Sequence, residues 1–361
     1  MNQRKKSILN IMKYENVDVL VLTAGTNLHY VTENKLTGSE RLFLYFLKQD
    51  GTGIYIVPEV EKSKIIVDET ETILFYKDEA GPYTLLQQLE NKLSSLQTFA
   101  VETKLMRLFE FNFIKELGVH TYSDANKMMQ QLRLQKDPDE IVAIQKAVNI
   151  LEESFKATLP FIKIGKTEVE IAAKLEYEMR VRGSEGTPFT TIVASGYRGA
   201  LPHGRASEKK IEDGDLIVID FGSTYQGYVG DMTRTIGIGN ISEKQKAIYQ
   251  IVKQSIDTSI NAIQIGKNAA DIDTVARQVI EDSGYGLFFT HRLGHGIGLD
   301  AHESPYMSQA DQTSIRQGMV FTVEPGIYIE NEFGIRIEDN IVITENGAQN
   351  LMTISHDLII L

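Results

Sequence analysis

The sequence predicts an α/β (α+β) fold in two domains, residues 1–125 and 126–361, with the second built on an internal pseudo-twofold repeat. Three observations carry this. Short apolar runs alternate with helical patterns over the first 125 residues, and a strong helix-start signature follows at 135–140. Beyond it, one set of helix-start and helix-end signals recurs at an offset of 101 residues. A chain of 361 residues has the length for two domains, each able to bury its own core.

In the first domain, Val17-Asp18-Val19-Leu20-Val21-Leu22 and Leu42-Phe43-Leu44-Tyr45-Phe46-Leu47 read as buried strands. Gly51-Thr52-Gly53 turns the second into Ile54-Tyr55-Ile56-Val57. Residues 83–96 have helical spacing and 98–102 return to strand. The acidic and aromatic residues of this domain show no metal-ligand spacing, so no chemistry is assigned to it.

At the boundary, Asp137 stands at an N-cap position, Pro138 at the first helical position and Glu140 where it can reach back to the cap. A helix is expected from there to about Thr158. Ile164-Gly165-Lys166-Thr167 then precedes a helical segment ending at Gly183, and Ile265-Gly266-Lys267-Asn268 one ending at Gly284. Thr167 and Asn268 are both good caps. Each half continues with strands. Leu216-Ile217-Val218-Ile219-Asp220-Phe221-Gly222 turns and returns through Gly230-Asp231-Met232-Thr233-Arg234-Thr235, and Met319-Val320-Phe321-Thr322-Val323-Glu324-Pro325-Gly326 returns through Ile335-Arg336-Ile337-Glu338. Each hairpin thus has an apolar strand ending in carboxylate-X-Gly and a second carboxylate on the return.

Composition sets the outer bounds. The chain is 42% hydrophobic and 24% charged, an ordinary soluble balance. No run approaches the roughly 18–20 apolar residues of a membrane span. Polar residues follow the basic start too soon for a signal peptide, so the cytoplasm is the expected location. With no cysteine there is no disulfide, thiolate ligand or thiol nucleophile. A net charge of -12 argues against a nucleic-acid partner.

Two facing hairpins would bring Asp220, Asp231, Glu324 and Glu338 to one point, where four anions repel unless cations sit between them. Gly294-His295-Gly296 adds one imidazole between glycines. Taken singly, Asp220 is a turn cap, Glu324 a turn residue and His295 a loop residue. Their recurrence in matched contexts favours ligands. Five donors are too many for one catalytic ion with an open position, and they suit two divalent ions per chain if some carboxylates bridge. Oxygen donors with one imidazole fit Mn²⁺ first, with Co²⁺ or Zn²⁺ as alternatives. Two such ions activate water as nucleophile, so no serine or cysteine is required.

Asp220-Phe221-Gly222, Asp231-Met232-Thr233-Arg234-Thr235, His291-Arg292-Leu293-Gly294-His295-Gly296-Ile297-Gly298, Val323-Glu324-Pro325-Gly326-Ile327-Tyr328 and Arg336-Ile337-Glu338-Asp339-Asn340 resemble, in order and spacing, the metal-site motifs of the Xaa-Pro peptidases. That family includes prolidase and aminopeptidase P, and shares a pita-bread fold with the methionine aminopeptidases and creatinase. Ala24-Gly25-Thr26-Asn27-Leu28-His29-Tyr30 is similar to the family's creatinase-type N-terminal domain. The resemblance implies that Asp220 chelates one ion, that Asp231 and Glu338 bridge both, and that His295 and Glu324 complete the other, with Glu324 also serving as base. It implies substrate-site roles for His203, His291 and His302, for which a structural hydrogen bond or a solvated loop is the alternative. It further implies cleavage of proline-containing dipeptides or short peptides, and a homodimer.

The bond before proline is a tertiary amide whose nitrogen has no hydrogen. Its cleavage requires a polarised carbonyl, a donor to the oxyanion and protonation of the departing nitrogen. His302 is expected at the oxyanion or carbonyl, and His203 and His291 on the proline side. One departure concerns substrate length. Several dipeptide-cleaving members of the family carry an arginine where this chain has Tyr306, which leaves Arg198, Arg205 or Arg336 to meet a substrate carboxylate. Two alternatives remain open at the level of sequence. A methionine-type aminopeptidase on the same fold fits less well with the extra N-terminal domain and the His203 context. A catalytically inactive peptide-binding relative would be expected to have lost ligands, yet all five are present.

Overall fold

A computed structural model describes residues 3–361. The chain divides into two compact units, one ending at Arg133 and one from Leu134 to Leu361.

The first unit contains α1 (Gln3–Tyr14), β1 (Val19–Thr23), α2 (Thr26–Thr32), β2 (Leu44–Lys48), β3 (Gly53–Pro58), β4 (Glu71–Tyr76), α3 (Leu86–Leu93), β5 (Thr98–Val101), α4 (Leu108–Lys115), β6 (Thr121–Asp124) and α5 (Ala125–Arg133). Its six strands form one sheet in the order β4-β3-β2-β1-β5-β6. The pair β1/β2 is antiparallel and β1/β5 parallel, so the sheet is mixed. β1 is buried along its whole length, which is why it reads as an unbroken apolar run rather than an alternation. Val19, Val21, Phe46 and Phe99 pack with Leu89 of α3 and Phe113 of α4. The helix expected at 83–96 is regular only from Leu86, because Pro82 opens a 3₁₀ turn over Pro82–Leu85. The boundary expected at 125/126 falls at the start of α5, whereas the division by contacts comes after it. The Tyr30 hydroxyl donates to the Leu132 carbonyl at 3.1 Å, and Arg133 Nη1 to Asn27 Oδ1 at 2.8 Å, which ties α5 to α2.

The second unit contains α6 (Pro138–Thr158), α7 (Glu168–Val181), β7 (Ile192–Ser195), β8 (Leu216–Tyr225), β9 (Tyr228–Gly237), α8 (Glu243–Ala262), α9 (Ala269–Asp282), β10 (Gly294–Gly296), β11 (Glu303–Met307), β12 (Val320–Val323), β13 (Gly326–Ile329), β14 (Phe333–Arg336), β15 (Asp339–Thr344) and β16 (Gly347–Asn350). α6 starts as its sequence signals indicate: Asp137 Oδ1 accepts from Glu140 N at 3.0 Å, and Glu140 Oε2 from Asp137 N at 2.9 Å. Reciprocal caps of the same kind open α7 at Thr167/Glu170 and α9 at Asn268/Asp271. Gly165 and Gly266, just upstream, hold φ of 87° and 92°, a left-handed conformation that glycine adopts without a Cβ penalty. The repeat visible in the sequence is therefore a repeat of backbone geometry.

In the first half, β7-β8-β9 form an antiparallel sheet. In the second half the expected hairpin is divided. β12 pairs with β15, and β13 with β14, so the chain leaves sheet pairing at Glu324-Pro325 and again at Ile337-Glu338. α8 lays Ile248, Tyr249, Val252 and Ile256 into the core beneath these strands. Each of the three aliphatic side chains among these contributes about 1.5–3 kcal/mol on burial. Among the described residues, no helix is long and apolar enough to cross a membrane.

Candidate active site

The two hairpins meet edge to edge. Glu338 N donates to Thr233 O at 3.1 Å and the Thr233 hydroxyl to Glu338 Oε2 at 2.6 Å. Two residues on, Thr235 Oγ1 donates to Arg336 O at 2.9 Å. The alternation of β9 explains its motif: Asp231, Thr233 and Thr235 share one face, while Arg234 points to the other. There Arg234 Nη2 pairs with Asp339 Oδ1 at 2.7 Å and Nη1 donates to the Glu338 carbonyl at 2.6 Å. Asp339 also accepts from His356 Nε2 at 2.6 Å. Burial opposes its ionised form, but Arg234 and His356 outweigh that and hold its carboxyl well below the usual carboxylate range. The Glu338 backbone is thus fixed on both sides.

β10 brings His295 between two strands. A Cβ on Gly294 would lie 2.1 Å from Thr322 O, and one on Gly296 2.2 Å from Ser304 O. The glycines around the histidine are therefore required by the close approach of the β12 and β11 backbones. His295 Nδ1 lies 3.2 Å from Gly296 O. A carbonyl can only accept, so Nδ1 carries a proton and Nε2 faces the cleft, where it donates to a carboxylate when protonated and offers a lone pair to a cation when not. That nitrogen lies 3.2 Å from Glu324 Oε1 and 3.9 Å from Asp231 Oδ2.

All eight residues singled out in the sequence line one cleft of about 580 Å³. Ligand atoms of Asp231, His295 and Glu338 lie within 4.8 Å of one another. Glu324 adjoins this group through His295, and Thr322 Oγ1 donates to its Oε1 at 3.1 Å. Asp220 stands apart from the tight group: its Oδ2 accepts from Arg336 Nη2 at 2.5 Å. His291 is held at both nitrogens, by Arg292 O at 2.6 Å and the Tyr328 hydroxyl at 2.8 Å. By the same reasoning Nδ1–H donates to the carbonyl, and the Tyr328 hydroxyl donates to Nε2 while accepting from Arg336 Nη1 at 2.7 Å. Burial pulls the His291 pKa down. His302 lies tilted against His295 with ring centroids 4.2 Å apart, and both His302 and His203 are exposed to the cleft.

The electrostatics fit a divalent cation. Burial and then the charge of Asp220 push Asp231 well above its ordinary pKa, and burial and Asp231 do the same to Glu338. Asp220 Oδ1 and Asp231 Oδ1 are buried without a hydrogen-bond partner. Buried carboxylate oxygens left bare are costly unless a cation meets them. Carboxylates with one oriented imidazole are donors suited to such an ion.

Residues 142–345 match Metallopeptidase family M24, and residues 4–135 match the Creatinase/Prolidase N-terminal domain. The chain belongs to metallopeptidase family M24. It is 37% identical over 362 residues to the Xaa-Pro dipeptidase of Pyrococcus horikoshii, covering 99% of both chains. The structure matches a prolidase from Thermococcus sibiricus with a TM-score of 0.94 at 32% identity, covering 100% of each chain. It matches an X-Pro aminopeptidase from Thermotoga maritima with a TM-score of 0.86 at 34% identity, covering 99% of each. Within family M24 the chain is a member of the Xaa-Pro peptidases, with their creatinase-type N-terminal domain and pita-bread catalytic domain.

Sequence reasoning assigned no role to Tyr328 or Arg292 and a different one to Arg336. Arg336 had been a candidate for a substrate carboxylate; the structure commits it instead to Asp220, Tyr328 and, through Nε, Thr233 Oγ1 at 3.2 Å. Tyr328 joins Arg336 to His291. Arg292 lies over the Tyr306 ring, 4.6 Å from its centroid. Tyr328 and Arg336 are diagonal neighbours across the β13/β14 hairpin, where Tyr328 pairs with Gly334 and Arg336 with Gly326, and that relation becomes visible only once the register is known. Tyr328→Phe leaves His291 Nε2 unsatisfied and removes an acceptor from Arg336. It is expected to destabilise the protein by about 2 kcal/mol in urea unfolding, since removing one partner of a buried hydrogen bond costs about 1–3 kcal/mol. A loss below about 0.5 kcal/mol would show that Tyr328 does not tie the two together.

Proposed function

We propose that the chain hydrolyses the Xaa-Pro bond of dipeptides or short peptides, with two divalent ions held by Asp220, Asp231, His295, Glu324 and Glu338. The observation that carries this reading is the convergence of Asp231, His295 and Glu338 within 4.8 Å, beside buried carboxylate oxygens that have no protein partner. Proline specificity is supported by the names of relatives that cover the whole chain, Xaa-Pro dipeptidase among them. The donor set favours Mn²⁺.

When bound, the ions supply a polarised carbonyl and a water acidic enough to attack near neutral pH. The chain's own residues do the rest. Asp220 would hold one ion, Asp231 and Glu338 both, and His295 and Glu324 the other. Glu324 accepts the proton of the attacking water. His302, whose ring nitrogens bond to no described residue, donates to the tetrahedral oxyanion. His203 offers a free imidazole on the proline side, whereas His291 has both nitrogens engaged and presents its ring.

The test is a kinetic series on Ala-Pro, Ala-Pro-Ala and Ala-Ala with Mn²⁺, Co²⁺ and Zn²⁺. Ala-Pro is expected to be cleaved at least about 10²-fold faster than Ala-Ala in kcat/KM, in line with 1–3 kcal/mol or more of discrimination from a fitted pocket. Equal rates would remove the proline specificity. Fewer than one ion per chain after growth in Mn²⁺, with no hydrolysis, would indicate a peptide-binding protein instead.

A further inference from the structure

A dipeptide substrate ends in a carboxylate close to the scissile bond, and an enzyme selective for dipeptides meets that charge with a cation. Three guanidinium groups line the cleft: Arg205, Arg292 and Arg336. Arg336 is spent on Asp220 and Tyr328. Arg198, a candidate from the sequence, is bound to Glu168 Oε2 at 3.0 Å and donates to the Arg205 carbonyl at 2.6 Å. Arg205 and Arg292 remain, and neither makes an ion pair with any described residue.

The two differ in how they are held. Arg205 is exposed, and its side chain has no support. Arg292 is half-buried and its guanidinium carbon lies over the Tyr306 ring, 4.6 Å from the centroid. Tyr306 is itself fixed: its backbone N donates to Asp311 Oδ2 at 2.7 Å, and it stands opposite His295 in the β10/β11 pair. Leu293, next to Arg292, donates its N–H to Met307 O at 2.8 Å. Guanidinium and ring are therefore anchored to β10, which carries His295, and to its partner β11. A stacked guanidinium gives its face to the ring and keeps its edge, with N–H groups in a fork, for a planar acceptor. A phenol alone cannot bind a carboxylate in that way.

We propose that Arg292, carried on the Tyr306 ring, binds the C-terminal carboxylate of an Xaa-Pro dipeptide and so sets a preference for dipeptides over longer or blocked chains. The inference rests on the Xaa-Pro reading above. It makes Tyr306 a positioning residue for Arg292.

The experiment compares Ala-Pro with its C-terminal amide, Ala-Pro-NH₂, on Mn²⁺-loaded protein. Wild type is expected to favour the free acid by about 30–100-fold in kcat/KM, the range of a charge-assisted hydrogen bond. Arg292→Met is expected to bring that ratio to about 1–3, chiefly by raising KM for Ala-Pro. Arg292→Lys, which keeps the charge without the fork, retains about tenfold, and so reports even if the methionine variant folds poorly. Tyr306→Leu, which removes the platform, lowers the ratio by about three- to tenfold. Arg205→Met keeps it. The proposal is overturned if wild type shows no preference, if Arg292→Met retains it, or if Arg205→Met abolishes it. Protein that cleaves neither substrate, or cleaves Ala-Ala as fast as Ala-Pro, overturns the Xaa-Pro reading and this inference with it.

Discussion

Glu324→Gln is expected to lower kcat for Ala-Pro by about 10³-fold at matched Mn²⁺ content, within the 10²–10⁴-fold range for loss of a positioned general base. Glu324 follows the last residue of β12, where the strand breaks before Pro325, so its backbone is set by the sheet while its side chain reaches the cleft. Burial opposes its ionised form, but the hydrogen bond and charge of His295 outweigh that and bring the pKa to about 2. The residue is thus a carboxylate at neutral pH. An amide of the same shape keeps the hydrogen bond from Thr322 and cannot take a proton from water. The melting curve should stay close to that of wild type, and metal analysis separates a lost base from a lost ion. A fall of less than tenfold at full metal content would rule out Glu324 as the base.

Removing metal is expected to abolish hydrolysis and to lower stability, by an amount that grows with pH. In the metal-free fold, burial and mutual repulsion raise the pKa values of Asp231 and Glu338. Groups raised in this way bind protons more tightly folded than unfolded, so the fold is stabilised where they are protonated and loses stability as pH rises through their folded values. A bound cation offsets the repulsion and competes with those protons. Adding Mn²⁺ to chelator-stripped protein at 100 times its Kd should contribute about 2.7 kcal/mol, a rise in Tm of roughly 5–10 °C for a unit of this size. At one fixed Mn²⁺ concentration the rise should be larger at pH 8 than at pH 5.5, because protons compete for the carboxylates at the lower pH and raise the Kd. Scanning calorimetry at both pH values checks it, and a rise that is equal or larger at pH 5.5 would contradict the account.

Much of this architecture was legible because local signals and tertiary needs coincide. The capping box at Asp137/Glu140 needs only four consecutive residues, and the helix begins where those residues say. The glycines around His295 were readable as a close approach, though the sequence did not indicate that the approaching groups were strand backbones on both sides. What could not be read depended on partners distant in the chain. Asp220 and Glu324 occupy equivalent places in the two hairpins, yet Asp220 is drawn to Arg336, and that pairing spans 116 residues. Arg292 lay inside a quoted motif, but its value depends on lying over Tyr306, which only the β10/β11 register brings about. β4 was missed because its burial alternates and includes exposed positions, so it lacks the apolar run that marked β1.

The bond from Thr233 to Glu338 joins positions 105 residues apart. This separation orders events in time. Contacts so distant in sequence form only after the intervening chain has closed into a loop, and they belong to the slow end of folding. During synthesis the first hairpin emerges with Asp220 and Asp231 alone, lacking the imidazole and the two glutamates. If the proposed ligand set holds the metal, its capture awaits the strands from β10 to β15. Bound metal would then be a report on the finished chain, and a product truncated before Glu338 would carry the first hairpin without the means to load it.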